Sequence, residues 1–133
     1  MSSAADRDIR AWLRQYWEAS ERGDIEAEHA IYAEHAILDY PQSGERFSGR
    51  SRIQAQRGGR RAERHFAVRR IVGEGNLWVS KCVITYDGVP TQSLSIMELT
   101  DGLVTHETQY FADPFPAAPG RAALAEPIPP REQ

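Results

Sequence analysis

Among the side chains of this 133-residue chain that could move protons or grip oxygen, five stand out by their place in the sequence: Tyr16, Asp39, Tyr40, His65 and Glu107. Asp39 and Tyr40 are adjacent in "AILDYP", where an acid, a phenol and a proline stand in a row. Successive side chains of a strand point to opposite faces, so only one of the two can enter a shared site. An ionised aspartate accepts a proton at neutral pH. A phenol, with an ordinary pKa near ~10, is a poor base but a good hydrogen-bond donor. His65 opens a strand-like run, and its ordinary pKa near ~6.5 suits either direction of proton transfer. Glu107 lies in "LVTHETQYF". A regular strand there puts Thr105, Glu107, Gln109 and Phe111 on one face and Val104, His106, Thr108 and Tyr110 on the other. Both faces are mixed, so alternation alone does not choose between them. Each candidate has a plainer alternative: Tyr16 as a core aromatic on its helix, and His65 as an exposed or core histidine.

Other chemistry is poorly supported. Cys82 is the single cysteine, which excludes an intramolecular disulfide, and it has no evident activating partner. The four histidines, His29, His35, His65 and His106, show no ligand-pair spacing, so no metal is expected. Residues 50–70 hold eight arginines, yet the net charge is −3 and no aromatic platform interleaves with them. The segment reads as a solvated helix end and loop, with no nucleic-acid partner. No apolar run approaches the ~20 residues that span a bilayer. The start, "MSSAADRDIRAWL", lacks an apolar signal core. A cytoplasmic protein is the expectation.

The elements that must position these residues follow from periodicity. Ile9, Trp12, Leu13, Tyr16 and Trp17 share one helical face. Ser3 is the expected N-cap and Gly23 the stop. Asp24 caps a second helix over "IEAEHAIYA", with Ile25, Glu28 or His29, and Tyr32 on one side. "HAILDYP" is a strand ending at Pro41, "PQSGERFSG" is turn chemistry, and "RSRIQAQR" is a third short helix stopped by Gly58-Gly59. Four β-rich runs follow, with hairpin signals at Asp87-Gly88 and Asp101-Gly102. Along two of them Trp78, Ser80, Cys82 and Ile84, and Ser93, Ser95, Met97 and Leu99, alternate as wall or core residues. Helices first and an antiparallel meander later imply an α+β fold, a curved sheet capped by helices into a cone whose mouth is a natural small-molecule pocket. Residues 1–115 form the domain; residues 116–133 are a proline-rich tail or strap, in which "GRAALAE" allows one helical turn.

In order and spacing, "YWEASERGDIEAEHAIYAEHAILDYP", "FSGRSRI" and "ELTDGLVTHETQYFADPF" resemble the SnoaL-like branch of the nuclear transport factor 2-like superfamily. Polyketide cyclases belong to that branch, and ketosteroid isomerase and scytalone dehydratase are relatives. In ketosteroid isomerase an aspartate is the base, and a tyrosine and a protonated aspartate bind the oxyanion. By the resemblance, Tyr16 stands at that tyrosine's place, Tyr40 at the base's and Met97 at the protonated aspartate's. Two of the three roles are therefore missing, and a ketosteroid isomerase is not expected.

The same resemblance turns Tyr40 inward and Asp39 outward, and puts Glu107 on the inner face. A carboxylate in an apolar cone would be a usable acid or base. It pairs Tyr16 with His65 as in dehydratases, likens Asp113 to a cyclase acid, although a turn role fits its place beside a proline, and assigns the outer sheet face to a homodimer. The expectation is a domain that binds a small apolar molecule bearing a carbonyl or hydroxyl. Its catalytic residues are Glu107, His65 and Tyr16, and its ligand contacts are Tyr16, Tyr40, Trp78, Cys82, Met97, Gln109 and Phe111. Any reaction would be a cofactor-free isomerisation, cyclisation or dehydration. The alternative is a non-catalytic binding or protein-interaction module of the same fold.

Overall fold

A computed structural model describes residues 3–58 and 63–133 of the chain. Gly59, Arg60 and Arg61, part of the expected helix stop and of the arginine-rich stretch, lie outside the described residues.

The first helix, α1 (Ala4–Arg22), begins where Ser3 Oγ accepts from the Asp6 amide at 3.0 Å. It ends at Gly23, whose φ of 74° is the left-handed conformation that glycine adopts without strain. Asp24 then caps α2 (Ile25–His29) through the Ala27 amide. This helix is shorter than its sequence pattern: Tyr32 belongs not to α2 but to the strand β1 (Tyr32–Tyr40). Sheet pairing overrides the helical period, because the Ile31 carbonyl accepts from Val104 and Tyr32 pairs with Val104. Pro41–Gly44 turns, as expected, but Glu45–Ser48 continues as a strand, β2, paired antiparallel to β1 from Tyr40–Glu45 to Ile37–Ser48. Four residues with one apolar side chain carry too little pattern to announce a strand.

After α3 (Arg50–Gly58), the meander runs β3 (Arg64–Glu74), β4 (Leu77–Tyr86), β5 (Val89–Thr100) and β6 (Leu103–Ala112). The sheet order is β2-β1-β6-β5-β4-β3, curled but not closed. β1 lies parallel to β6; every other pair is antiparallel. The helices cover the concave face, α1 against β3 and α3 against β1. The core between them holds Leu13, Tyr16, Trp17, Leu38, Ile53, Trp78, Met97 and Val104.

One irregularity governs the last strand. Leu99 pairs with Val104 but Glu98 pairs with His106, so Thr105 is an extra residue on β6. Such a bulge shifts the alternation by one. Val104, expected outward, is therefore fully buried together with Glu107, while Thr105 bonds to the Glu98 carbonyl near the surface. Beyond the bulge the expected faces hold: Glu107 and Gln109 point in, and Tyr110 points out.

On the convex face Arg46 grips both oxygens of Asp39 at 2.7 and 2.9 Å, and His106 Nε2 donates to Asp39 Oδ2 at 2.8 Å. The Arg46 guanidinium, with His106, holds the Asp39 carboxyl down at about 2. The face that the resemblance assigns to a subunit contact exposes Leu94 and Tyr110, each at 38%. The tail makes a single-turn helix at Pro119–Arg121 and ends against β3, where Arg69 donates to the carbonyls of Gln133 and Pro130. No helix among the described residues is long and apolar enough to cross a membrane.

Candidate functional site

Four elements converge on the middle of the concave face. β6 supplies Glu107 and Gln109, α1 supplies Tyr16 and β1 supplies Tyr32. The fifth group is Arg57 of α3. That helix is pinned to β1 where the Gly49 amide donates to the Ala36 carbonyl at 2.7 Å. Ile53 is fully buried, and Arg57, four residues on, shares its helical face and is carried into the cone. The Arg57 and Glu107 side chains are 8% and 0% exposed and meet at 3.2 Å.

The hydrogen atoms of this cluster can be counted. Arg57 Nη1 donates to Tyr16 OH at 3.1 Å and to Tyr32 OH at 2.7 Å. Its Nη2 donates to Glu107 Oε1 and to Gln109 Oε1, each at 3.2 Å. All four Nη hydrogens are thereby engaged. Tyr32 spends its one hydroxyl hydrogen on Glu107 Oε1 at 2.5 Å, so the 3.2 Å contact between the two phenols must be donated by Tyr16. Ser95 Oγ donates to Glu107 Oε2 at 2.5 Å, and Gln109 Nε2 donates to Ser93 Oγ at 3.2 Å. The result is a directed chain, Tyr16 to Tyr32 to Glu107, closed by the guanidinium.

Burial pushes the Tyr16 and Tyr32 phenols well above their usual range, so both are neutral donors at any ordinary pH. Burial also works against the charge on Arg57, but Tyr16, Tyr32 and Glu107 around it hold it protonated, above the usual guanidinium range. Taking two ions out of water costs several kcal/mol each, and only dense pairing offsets that cost. The cone is therefore not the apolar chamber its sequence implied. Its centre is an ionised, fully hydrogen-bonded knot.

At the Phe111 end of β6 lies an open pocket of about 460 Å³, lined by Tyr40, Gln42, Ser43, Glu45, Phe47, Gln56 and Phe111. Gln56 donates to Tyr40 OH at 2.9 Å, and the Tyr40 ring meets Phe47 and Phe111 edge-on, both with centroids at 5.3 Å. Phe111, Gln109 and Glu107 are successive inward residues of β6, so the carboxylate sits about 14 Å along the strand from the cavity wall. Gln109 lies between.

The structure thus brings Tyr16, Glu107 and Gln109 into one cluster and puts Tyr40 and Phe111 on the neighbouring cavity. Trp78, Cys82 and Met97 are buried on the same inward face, with Met97 directly across from Glu107. Burial pushes the Cys82 thiol up to about 12, which keeps it a neutral core residue. His65 is not brought to the cluster. It stands 60% exposed between Glu21 and Glu63, whose carboxylates raise its pKa. Asp113 accepts from Thr91 Oγ1 at 2.8 Å, beyond the end of β6. Among the described residues no three His, Cys, Asp or Glu side chains are grouped to hold a metal.

The sequence does not point to Arg57 or Tyr32 as site residues, and it points to Ser95 only as a wall or core residue. Arg57 was hidden among surface arginines; its signal was its position one turn after Ile53. The helical pattern of "IEAEHAIYA" takes in Tyr32, whereas α2 ends three residues earlier.

The profile of the SnoaL-like domain family matches residues 13–107. Among curated proteins no match was found. An NTF-2 like protein of unknown function from Burkholderia xenovorans LB400 is 49% identical, with a TM-score of 0.83, over 92% of this chain and 97% of that one. A proposed ketosteroid isomerase from Kribbella flavida is 25% identical, with a TM-score of 0.81, over 90% of this chain and 89% of that one. An epoxide hydrolase from M. tuberculosis shares the fold at 17% identity and a TM-score of 0.62, over 76% of this chain and 80% of that one.

Proposed function

The chain belongs to the SnoaL-like domain family, and on that premise we propose that its cone binds a small, largely apolar molecule carrying a carbonyl or hydroxyl oxygen, and that Glu107 exchanges a proton with it. The observation behind this reading is the buried pair of Arg57 and Glu107 with two phenols, two inward residues along β6 from Phe111 on the wall of an open pocket of about 460 Å³. An apolar core of the same volume is often the more stable choice, so a desolvated ion pair kept in the core is a functional-site candidate.

In this reading the ligand's apolar body lies against Tyr40, Phe47 and Phe111. Its oxygen takes the place of Gln109 on Arg57 Nη2 and is polarised by the guanidinium. Glu107 Oε2, which accepts one hydrogen bond from Ser95, receives a proton from the ligand and returns it at a second position. The net change is an isomerisation, cyclisation or dehydration that uses no cofactor. The likeness to a proposed ketosteroid isomerase supports proton transfer. Tyr40 before the proline and Met97 opposite Glu107 speak against that particular substrate class.

The test is a thermal-shift screen against polycyclic ketones, phenols and lactones, followed by mass spectrometry of the hits. A ligand at 100 times its Kd adds about 2.7 kcal/mol, which for this chain is a Tm rise of roughly 10 °C. Glu107→Gln is expected to keep binding and lose turnover. Undiminished turnover in that variant refutes the assignment. The full engagement of the Arg57 hydrogens favours a second reading, in which the knot only stiffens a non-catalytic binding cone; saturable binding with no product identifies it.

A further inference from the structure

The tail beyond β6 is fastened at both ends. Asp113 holds its start by accepting from Thr91 Oγ1, and Arg69 holds its end by donating to the Pro130 and Gln133 carbonyls. It thus crosses the outer face of the sheet from β6 to β3. A groove of about 450 Å³ lies between the two, walled by Lys81, Pro90 and Gln92 of the sheet and by Pro114, Phe115 and Ile128 of the tail. Yet every residue from Ala112 to Glu132 is exposed. Phe115 is 81%, Leu124 92% and Ile128 62% exposed. Fixing a chain segment costs conformational entropy at each residue, and burial of apolar side chains normally offsets that cost. Here the segment is held in place, and its own chain does not cover its apolar side chains.

Area and charge narrow what covers them. The chain exposes 8619 Å², roughly 1,600 Å² more than the ~7,000 Å² expected of a folded monomer of 15.0 kDa. A stable interface takes about 800 Å² from each partner. The uncovered patch continues onto the sheet, where Leu94 and Tyr110, paired across β5 and β6 and both exposed, lie on the same outer face as the groove. One face therefore carries protruding apolar side chains and a groove side by side, as a two-fold contact between identical surfaces requires. Arg121 and Arg131 of the tail are outnumbered by Asp113, Glu126 and Glu132, so the strap offers no basic attraction to an anionic membrane or a nucleic acid.

We propose that residues 113–133 are an intersubunit strap, and that Phe115, Leu124 and Ile128 are covered by the outer sheet face of a second copy of this chain, around its Leu94 and Tyr110. The strap lies beyond residues 13–107, the part that the family profile matches, so it adds to whatever contact the shared sheet face makes by itself. It does not depend on what the cone binds.

Sedimentation velocity of the full chain tests this, with Leu124→Asp and Leu124→Met beside wild type. Leu124 is exposed in the single chain, so both variants should keep the wild-type circular dichroism spectrum. Wild type is expected to be a dimer. Leu124→Asp removes a buried leucine twice per dimer and should raise the dimer Kd at least ~100-fold, whereas Leu124→Met should dimerise like wild type. A Leu124→Asp chain that dimerises as tightly as wild type overturns the proposal and leaves the dimer to the sheet face alone. A monomeric wild type overturns it as well; flotation of that monomer with phosphatidylcholine vesicles would assign the strap to a lipid surface instead. Should Leu124→Asp misfold, the same comparison is made with Phe115→Asp.

Discussion

Cutting the ion pair of Arg57 and Glu107 measures directly how dry the cone is. Glu107→Leu leaves a guanidinium, 8% exposed, whose remaining hydrogen bonds go to the neutral oxygens of Tyr16, Tyr32 and Gln109. Arg57→Leu leaves the carboxylate with the hydroxyls of Tyr32 and Ser95. Removing one partner of a buried pair costs about 3–5 kcal/mol, because the other charge stays behind. Unfolding entropy near 2.1 cal/mol/K per residue gives about 0.28 kcal/mol/K for 133 residues. Each single variant should therefore melt roughly 11–18 °C lower. Arg57→Leu belongs at the lower end, since its orphan keeps two charge-assisted bonds. In the double variant no charge is stranded, and Tyr16 and Tyr32 can still bond to each other. It should be more stable than the sum of the singles by roughly 2–3 kcal/mol. Urea unfolding, followed by circular dichroism and by the fluorescence of the three tryptophans, gives all four free energies. Single variants within about 1 kcal/mol of wild type would mean the pair is screened like a surface one. An additive double variant would mean the two charges do not face each other. Either result refutes the desolvated knot.

Two further outcomes follow from the sheet. Gly73 pairs across from Trp78, and a Cβ there would overlap the Leu77 carbonyl oxygen and come within 2.6 Å of the indole; Gly73→Ala should cost about 1–3 kcal/mol in urea unfolding, and a neutral result would show that the strand gives way freely. Asp39 has its folded pKa depressed to about 2 by Arg46 and His106, so its contribution is present above the unfolded value near ~3.9 and is lost as pH falls through about 2. The stability gap between wild type and Asp39→Asn should accordingly be open at pH 6 and close between pH ~4 and ~2; a gap unchanged across that range would show that the pairing does not hold in solution.

Much of the scaffold was legible because it rests on local rules. Ser3, Gly23 and Asp24 cap as their types dictate, and the inward set of Tyr40, Leu38 and Ala36 follows from alternation once one residue's face is known. The site was legible only in part. Tyr16 stood out on the apolar face of its helix and Glu107 through the family resemblance, but Arg57 did not. Whether an arginine is solvated or buried is decided by what lies across from it, and the carboxylate that receives it is fifty residues away in the chain. The bulge at Thr105 was equally invisible. It is set by competition between two strand pairings of β6, and no residue type at that place demands it.

The parallel pairing of β1 with β6 has a consequence for the order of events as the chain folds. β3 to β6 form a run of antiparallel neighbours joined by tight turns, so their contacts close small loops and can form early. β1 must instead find a strand some seventy residues downstream, bringing α1, α2 and α3 with it. Tyr16, Tyr32 and Arg57 all arrive with that late piece, whereas Glu107, Gln109 and Ser95 wait on the meander. Until docking is complete, the carboxylate stands on an open sheet in water. The knot is thus the seam between an early half and a late half, and substitutions within it should speed unfolding while barely slowing refolding.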